Sequence, residues 1–406
     1  MKGGASLASV ANESVILSYC RTPFGKLGGA LKEMKAVDLG GIVIREALMR
    51  ARLLPSDVQH VLMGMVIQAG AGQVPSRQAT FKAGLGREVT SDTINRVCGS
   101  GMRAITLADA LIRAGEYDVL IAGGMESMSN APYLLPGARF GFKMGDVTMQ
   151  DAMQQDGLRW PTDGGGVLMG IQGDETAAEE RVSREEQDAF ALRSHQRAVA
   201  AIERGIFKDE IVPVEVPGPK GTTTTVADDE SPRRDTSAKA LAALKPAFRP
   251  NGTVTAGNAP GVNDGAAAVV VTSRAWAEAH NCKPLARIVA TATSAWDVPY
   301  LMYTPAMAAA TALERADLRV DDLDAVEINE AFASVPIVSG RRLGVDAALL
   351  NVYGGAIALG HPIGASGTRI TGSLALHLRR HGGGLGLAAI CSGGGQGDAI
   401  ILEVRA

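Results

Sequence analysis

Only four cysteines occur in this chain, Cys20, Cys98, Cys282 and Cys391, and no two of them share a CxxC spacing. That excludes a zinc knuckle, gives no basis for a disulfide framework and suits a reducing compartment. No metal-ligand spacing of any other kind is present, so no metal is expected. No stretch approaches 18 uninterrupted apolar residues, so no membrane span and no membrane partner are expected. The opening MKGGASLASVANES has no long apolar run and no arginine. Neither a secretory nor a mitochondrial signal is visible there, and a cytoplasmic location is expected. The net charge is only -3, which makes no case for nucleic acid as a partner, and any anion site must be local. Aromatics are scarce at 4%, which argues against an aromatic-rich binding surface.

What the chain has is ample apolar residue (46% of 406) and 49 glycines, a globular composition with tight backbone packing in two or three domains or one duplicated unit. Buried strands are expected at Val15–Ser18, Val58–Val66 and Asp118–Ala122. Helices are expected at Leu39–Ala51, Val74–Leu85 and from about Ile105, where Ile105, Ala108, Leu111 and Ile112 recur at helical spacing. Strand and helix alternate, which predicts an α/β fold with a mostly parallel sheet. From Ser127 to Gly261 the texture changes to Met, Gly, Pro and polar residues. One clear helix, Ser183–Arg204, opens there with a capping-box pattern. This region reads as an elaborate insertion. Asn263–Thr272 then reads as a small-residue helix running into a strand.

The end of the chain resembles its beginning. Adding 266 carries Ser100-Gly101-Met102-Arg103 onto Ser366-Gly367-Thr368-Arg369 and the strand Val119–Ala122 onto Leu385–Ala388. An offset of 265 aligns Val61–Gly64 with Val326–Asn329. The order of matches favours a duplication. Under it Cys98 corresponds to Gly364 and Met125 to Cys391. Two copies of one loop across a pseudo-two-fold axis would bring complementary groups to the strand ends where ligands bind.

Four residues carry candidate chemistry. Cys98, in NRVCGSGMR, sits at a helix start, where unpaired N–H groups and the helix dipole favour a nucleophilic thiolate. His361, among glycines in GGAIALGHPIGASG, is the natural proton acceptor for a thiol. Cys391, in CSGGGQG, could serve as an acid/base, with glycine N–H groups turned toward an oxyanion. Asn329, in NEAFA, could hold a water or donate to an oxyanion. Each alone has a plain structural alternative: a small buried residue, a satisfied loop histidine, an incidental cysteine at a glycine hinge, a helix N-cap.

Taken together, NRVCGSGMRAI, GGMESMS, GTVTAGNA, NDGAAA, NEAFA, GGAIALGHPIGASG and CSGGGQG, in that order along nearly the whole chain, make it resemble the thiolase family. The resemblance implies duplicated α/β halves in a five-layered α-β-α-β-α core with an inserted loop domain. The halves would be 1–126 with 262–284, and 285–406; the loop domain would be 127–261. It implies acyl-CoA C-acyltransferase chemistry: thiolytic cleavage of a 3-ketoacyl-CoA, or Claisen condensation of two acyl-CoA molecules, through acyl-Cys98. Coenzyme A would be substrate or product, with no covalently bound cofactor. His361 would take the Cys98 proton and then, with a water on Asn329, hold a thioester oxygen. Cys391 would move the α-proton, and the N–H groups of Cys98 and Gly393 would form a second oxyanion site. Met169, Leu244, Phe248, Ala256 and Phe332 would lie along the pantetheine, with Arg233 near the nucleotide. The family also implies a homotetramer or homodimer and a place in fatty acid metabolism.

The chain departs from the family's pattern at two positions. Leu168 stands where short-chain members often carry histidine. Pro260 stands where many carry serine, removing a hydroxyl bond worth about 1 kcal/mol. The loop RWPTDGGGV is also atypical. Leu168, Met302 and Tyr303 are expected to shape the acyl pocket. The competing assignments are a ketosynthase-type condensing enzyme and a non-catalytic acyl-CoA or lipid-binding protein on the same fold.

Overall fold

The computed structural model describes residues 13–163 and 166–405. Residues 1–12 of the stretch read for targeting signals, and Gly164 and Gly165 of the atypical loop, lie outside the described residues. The first part alternates as expected: β1 (Ser14–Arg21), α1 (Ala36–Ala51), β2 (His60–Gly64), α2 (Pro75–Lys82), β3 (Thr90–Ile94), α3 (Ser100–Arg113) and β4 (Val119–Ser127). The chain leaves the sheet at Ser127 and returns at Asn263 on the neighbouring strand, where Asp264 pairs with Ser127. The excursion holds α4 (Met169–Glu179), α5 (Arg184–Glu203) and a hairpin of Val214–Pro217 with Thr223–Val226. The Ser183 hydroxyl caps α5 by accepting the Glu186 N–H at 3.2 Å. The rest of the core is β5 (Asn263–Ser273), β6 (Ala286–Ala295), α6 (Thr304–Ala316), β7 (Ala325–Ile328), α7 (Ser334–Leu343), α8 (Ile363–Arg380), β8 (Gly384–Ser392) and β9 (Gln396–Val404).

The strands lie in the order β7-β8-β9-β6-β1-β5-β4-β2-β3. Outward from the β1·β6 seam the two halves repeat: β1-β5-β4-β2 on one side, β6-β9-β8-β7 on the other. The duplication inferred from the numbering is therefore present in the strand order, and the β3 edge is matched on the other side by a single parallel bridge from Val326 to Leu350. Two expectations are corrected. The sheet is mixed: β4·β5, β5·β1, β1·β6, β6·β9 and β9·β8 are antiparallel, while β2·β3, β2·β4 and β7·β8 are parallel. The cause is local at β8–β9, where Gly394 and Gly395 at φ 78 and 66 turn the chain straight back. The stretch Asn263–Thr272 is strand throughout, not helix then strand. Its residues are buried on both faces, so no alternation marks it and the run of small residues imitates a helix.

Alternate side chains along each strand enter different cores. Leu62, Leu120 and Ala122 face an inner cluster with Met102, Ile105, Ile370, Leu374, Ile390 and Ile400. Val61, Met63 and Ile121 face outward onto α1 and α2 residues such as Leu39, Ile44 and Ala79. Leu387, Ala389 and Ile401 face α6 and α7 through Ala308, Ala312 and Val338. Three cores separated by two sheet halves give five layers, α-β-α-β-α, with α3 and α8 as the middle one. Among the described residues no helix is long and apolar enough to cross a membrane.

The middle layer closes on two corresponding glycines. A Cβ on Gly101 would lie 2.6 Å from Thr368 Oγ1 and 2.8 Å from the Gly364 carbonyl; one on Gly367 would lie 2.8 Å from Met102 Cβ. The starts of α3 and α8 thus touch backbone to backbone, which fixes what each helix start carries. Gly101→Ala should destabilise the protein by roughly 1–3 kcal/mol through overpacking, read as a lowered urea midpoint; an unchanged midpoint would show that the crossing can relax.

Candidate active site

The loop before α3 is a turn held from several sides. Asn95 Oδ1 accepts the Val97 N–H at 3.0 Å, and the Ser100 hydroxyl accepts the Arg96 N–H and donates to the Val97 carbonyl. Val97 sits at φ 44, a left-handed conformation that a β-branched residue adopts only under constraint. Cys98 follows, buried, just ahead of the helix rather than in its first turn. The backbone N–H groups of Gly393 and of Cys98 itself act on its sulfur and favour the thiolate. The expectation of a resting thiolate is corrected: burial pushes the thiol up to about 12, and those N–H groups offset only part of the shift. Cys98 therefore needs a base.

His361 is placed by backbone contacts on both sides. Its N–H donates to Asn263 Oδ1 at 2.9 Å, and Gly360 before it takes φ 111. The Gly364 N–H donates to the buried Glu126 carboxylate at 3.0 Å, which also accepts the Val66 and Ile67 N–H groups at 3.1 Å. The His361 ring meets the Ser366 hydroxyl through Nδ1 at 2.6 Å, while that hydroxyl donates to the Pro362 carbonyl. With the hydroxyl hydrogen on the Pro362 carbonyl, Nδ1 carries the ring proton and the buried Nε2, which has no partner, is an acceptor. Burial, helped by the Arg369 charge, lowers His361 to about 3, so the ring is neutral at rest and presents an acceptor.

Cys391 ends β8 and is buried; burial and the neighbouring Cys98 raise its thiol well above the ordinary value. Asn329 is fully buried, and neither its amide oxygen nor its amide nitrogen has a partner. It caps no helix, since α7 begins at Ser334 after Ala333. Two free polar atoms at such depth leave capacity for a bound water, but Asn329 does not itself line the cavity that holds the two cysteines and His361.

One cavity of about 220 Å³ collects Cys98, His361, Cys391 and Gly393. Of the other expected residues, Leu168, Met169, Phe248 and Phe332 line it, as does Pro260. Several do not. Met302 is buried in the core between β8 and α6, and Tyr303 points its hydroxyl at Glu180 under the Arg342 guanidinium. Leu301, one residue earlier, takes the place expected of them. Leu244 packs beside Gly257, while Ala256 and Arg233 are exposed outside the cavity. Composition alone had no signal for Met128, Gln154, Leu158 and Ile363, which complete the wall. The acidic stretch Asp228-Asp229-Glu230 has a structural use. Asp229 pairs through both oxygens with the buried Arg21, at 2.7 and 2.8 Å, and Glu230 accepts the Lys26 and Ala30 N–H groups, tying the excursion to β1. Among the described residues no group of three or more His, Cys, Asp or Glu is arranged to hold a metal ion.

A model of the thiolase N-terminal domain matches residues 14–275, and one of the thiolase C-terminal domain matches residues 282–404. The chain is 50% identical over 390 residues to a probable acetyl-CoA acetyltransferase of Mycobacterium leprae, covering 96% of this chain and 99% of that one. It is 47% identical over 388 residues to an acetyl-CoA acetyltransferase of Pseudomonas aeruginosa and 46% identical over 390 to one of Escherichia coli, covering 96% of this chain and 98% of each.

The buried carboxyl of Glu126 gives the site a pH signature. Burial raises it to about 7 against the pull of three N–H donors. Unfolded, it titrates near its ordinary value, so over the interval between the two values the native state holds the extra proton and stability falls as pH rises. His361, near 3, and His195 and His377, near 4, act oppositely up to about pH 7.5, since an unfolded histidine is still half protonated at about pH 6.5, while the buried Glu327, raised to about 8, acts in the same sense as Glu126. The Glu126 contribution is therefore read as a difference: between about pH 6.5 and 8 wild type should lose roughly 1 kcal/mol of stability relative to Glu126→Gln, measured from urea midpoints. Parallel pH profiles of the two proteins would count against this assignment.

Proposed function

The chain belongs to the thiolase family, and we propose that it makes and breaks the carbon–carbon bond of 3-ketoacyl-CoA thioesters through an acyl group carried on Cys98. It is an acyl-CoA C-acyltransferase, with coenzyme A as substrate or product. The observation that carries the route is the meeting of two thiols, a neutral imidazole and the Gly393 backbone in one apolar cavity.

The protonation states suggest how buried thiols enter the reaction. His361 Nε2 takes the Cys98 proton as the sulfur attacks the thioester carbonyl, whose oxygen is held by the N–H groups of Cys98 and Gly393. Coenzyme A leaves as thiolate and takes that proton back from His361. Cys391 then gives its own proton to His361, which leaves acyl-Cys98, a Cys391 thiolate and a His361 imidazolium. The Cys391 thiolate removes the α-proton of a second acyl-CoA, and the enolate oxygen is met by the imidazolium and a water on Asn329. The enolate carbon attacks acyl-Cys98, the carbon–sulfur bond breaks, and the Cys98 thiolate takes the proton from His361. Atoms and charge balance, and cleavage by free coenzyme A is the reverse. The raised thiols keep both sulfurs protonated until reaction with bound substrate draws a proton onto His361.

Residues 127–261 would form the domain over coenzyme A, between the halves 1–126 with 262–284 and 285–406. Met169, Phe248 and Phe332 would flank pantetheine, with Leu244 and Ala256 behind them and Arg233 at the nucleotide end. Acetyl transfer is the proposed core reaction. Leu168, Leu301 and Pro260 make the cavity apolar where a polar contact is otherwise expected, which favours tolerance of longer acyl chains. A cytoplasmic homotetramer serving fatty acid metabolism completes the proposal. The exposed apolar side chains Tyr133, Phe140, Phe142, Met144 and Met149 in the excursion support a subunit contact.

Acetoacetyl-CoA with free coenzyme A should lose its enolate absorbance in the presence of the protein, and inactivity on every 3-ketoacyl-CoA would sink the proposal. Cys391→Ala should keep acylation of Cys98 by acetyl-CoA while condensation drops by about 10²–10⁴-fold, as expected for loss of a general base. Loss of acylation as well would contradict the division of labour between the sulfurs. Across a series of increasing chain length, kcat/KM should hold or rise beyond the four-carbon substrate; a strict acetoacetyl preference would refute the chain-length proposal.

A further inference from the structure

One buried charged pair beside the site has no part in the proton transfers. Asp398 lies on β9, fully buried, with Oδ1 2.9 Å from Arg96 Nη1. Its other oxygen has no partner and faces the residue after the nucleophile: a Cβ on Gly99 would come within 2.7 Å of Oδ2. Asp398 pairs in register with Ile390, one step from Cys391 opposite Gly397. A second tie runs beside it, since the Ser392 hydroxyl donates to the Arg96 carbonyl. Arg103, on α3, adds a further positive charge within reach of Asp398. Between these ties and the start of α3 stands Val97 at its constrained φ. Neither Arg96 nor Asp398 lines the cavity.

A buried carboxylate with one oxygen unpaired is destabilising by itself. Its place is explained by what it joins. Arg96 belongs to the loop of the first half that carries Cys98; Asp398 belongs to the hairpin of the second half that carries Cys391. We infer that Arg96 and Asp398 are a positioning pair that sets the Cys98 loop against the Cys391 hairpin for the carbon–carbon step. The inference rests on the functional proposal above. Acylation needs Cys98, His361 and the Gly393 N–H; bond formation needs in addition the Cys391 thiolate and acyl-Cys98 on the two sides of one α-carbon. A slackened tie between loop and hairpin therefore weighs on the second step more than on the first.

The test compares wild type with Asp398→Asn, Arg96→Met and the double variant. Loading of Cys98 by acetyl-CoA is followed by quenched-flow intact mass, and condensation and thiolysis by absorbance. Each single variant should slow the carbon–carbon step by about 10–100-fold, the scale of a displacement near 1 Å, while Cys98 loading and KM stay within about threefold. Asp398→Asn keeps the side chain's shape, and the double variant leaves no buried charge alone; at least these should fold, as judged by the urea midpoint, and show the same split. Equal loss of both steps, or a change below about twofold in the carbon–carbon step, overturns the inference. Wild type that never loads Cys98 would instead overturn the functional proposal, so the two failures are distinguishable.

Discussion

The close crossing of α3 and α8 at Gly101 and Gly367 is the constraint on which the rest depends. Both helices start at the crossing, so both preceding loops are delivered to one place. Cys98 comes from one loop and His361 from the other. A side chain at either glycine would separate the helix starts, and the loops with them. The flanking strand ends then complete the closure, because Gly64 also packs against this point: a Cβ there would lie 2.8 Å from the Gly364 carbonyl. Only backbone without side chains can be packed this closely from two directions. The abundance of glycine and the shortage of aromatics in the sequence are the compositional trace of that arrangement.

Such closure removes water, and the titratable groups respond together. Cys98 and Cys391 are held as thiols, and His361 is held neutral by the same burial. A nucleophile resting as thiolate beside an imidazolium would carry two desolvated charges in an empty cavity. The resting site carries neither, and charge appears only when a thioester brings an oxygen for the N–H groups of Cys98 and Gly393 to hold. The Ser366 hydroxyl matters as much as the ring it touches. By donating to Pro362 it fixes His361 as the tautomer with a free Nε2, without any carboxylate at the ring.

The chemistry was legible in the sequence because it sits in short glycine-flanked segments whose residues are few and distinctive. Cys98, His361, Cys391 and Gly393 meet in the cavity the motifs implied, and the duplication read from the numbering reappears in the strand order. What did not read was set by contacts between distant segments. Strand direction in the sheet depends on where the chain goes after each strand, which periodicity does not encode. The strand at Asn263–Thr272 is buried on both faces and so carries no period. The cavity wall came out one residue off, at Leu301 in place of Met302 and Tyr303, because a single step along an irregular turn decides whether a side chain faces the cavity or the core. The thiolate expected at a helix start failed because local dipoles were weighed without the burial that outweighs them.

The duplication also explains why the strand ends differ where the folds agree. Glu126 and Ser392 occupy corresponding positions, and each holds the loop of the opposite half. Glu126 accepts the Gly364 N–H beside His361; Ser392 donates to the Arg96 carbonyl beside Cys98. The loop they hold is the same in outline, yet one needs an acceptor and the other a donor, since the first presents an N–H and the second a carbonyl. The Arg96 carbonyl also accepts the Gly99 N–H at 3.0 Å, so Ser392 adds a second bond there, whereas Glu126 satisfies three N–H groups at once. Each strand end is thus fitted to the hydrogen bonds that its own loop offers. Once the strand ends and loops had diverged to satisfy their own backbones, one cavity could hold a nucleophile from one half and proton carriers from the other. Neither half contains a site by itself, so the stability of the interface and the alignment of the reacting groups rest on the same contacts.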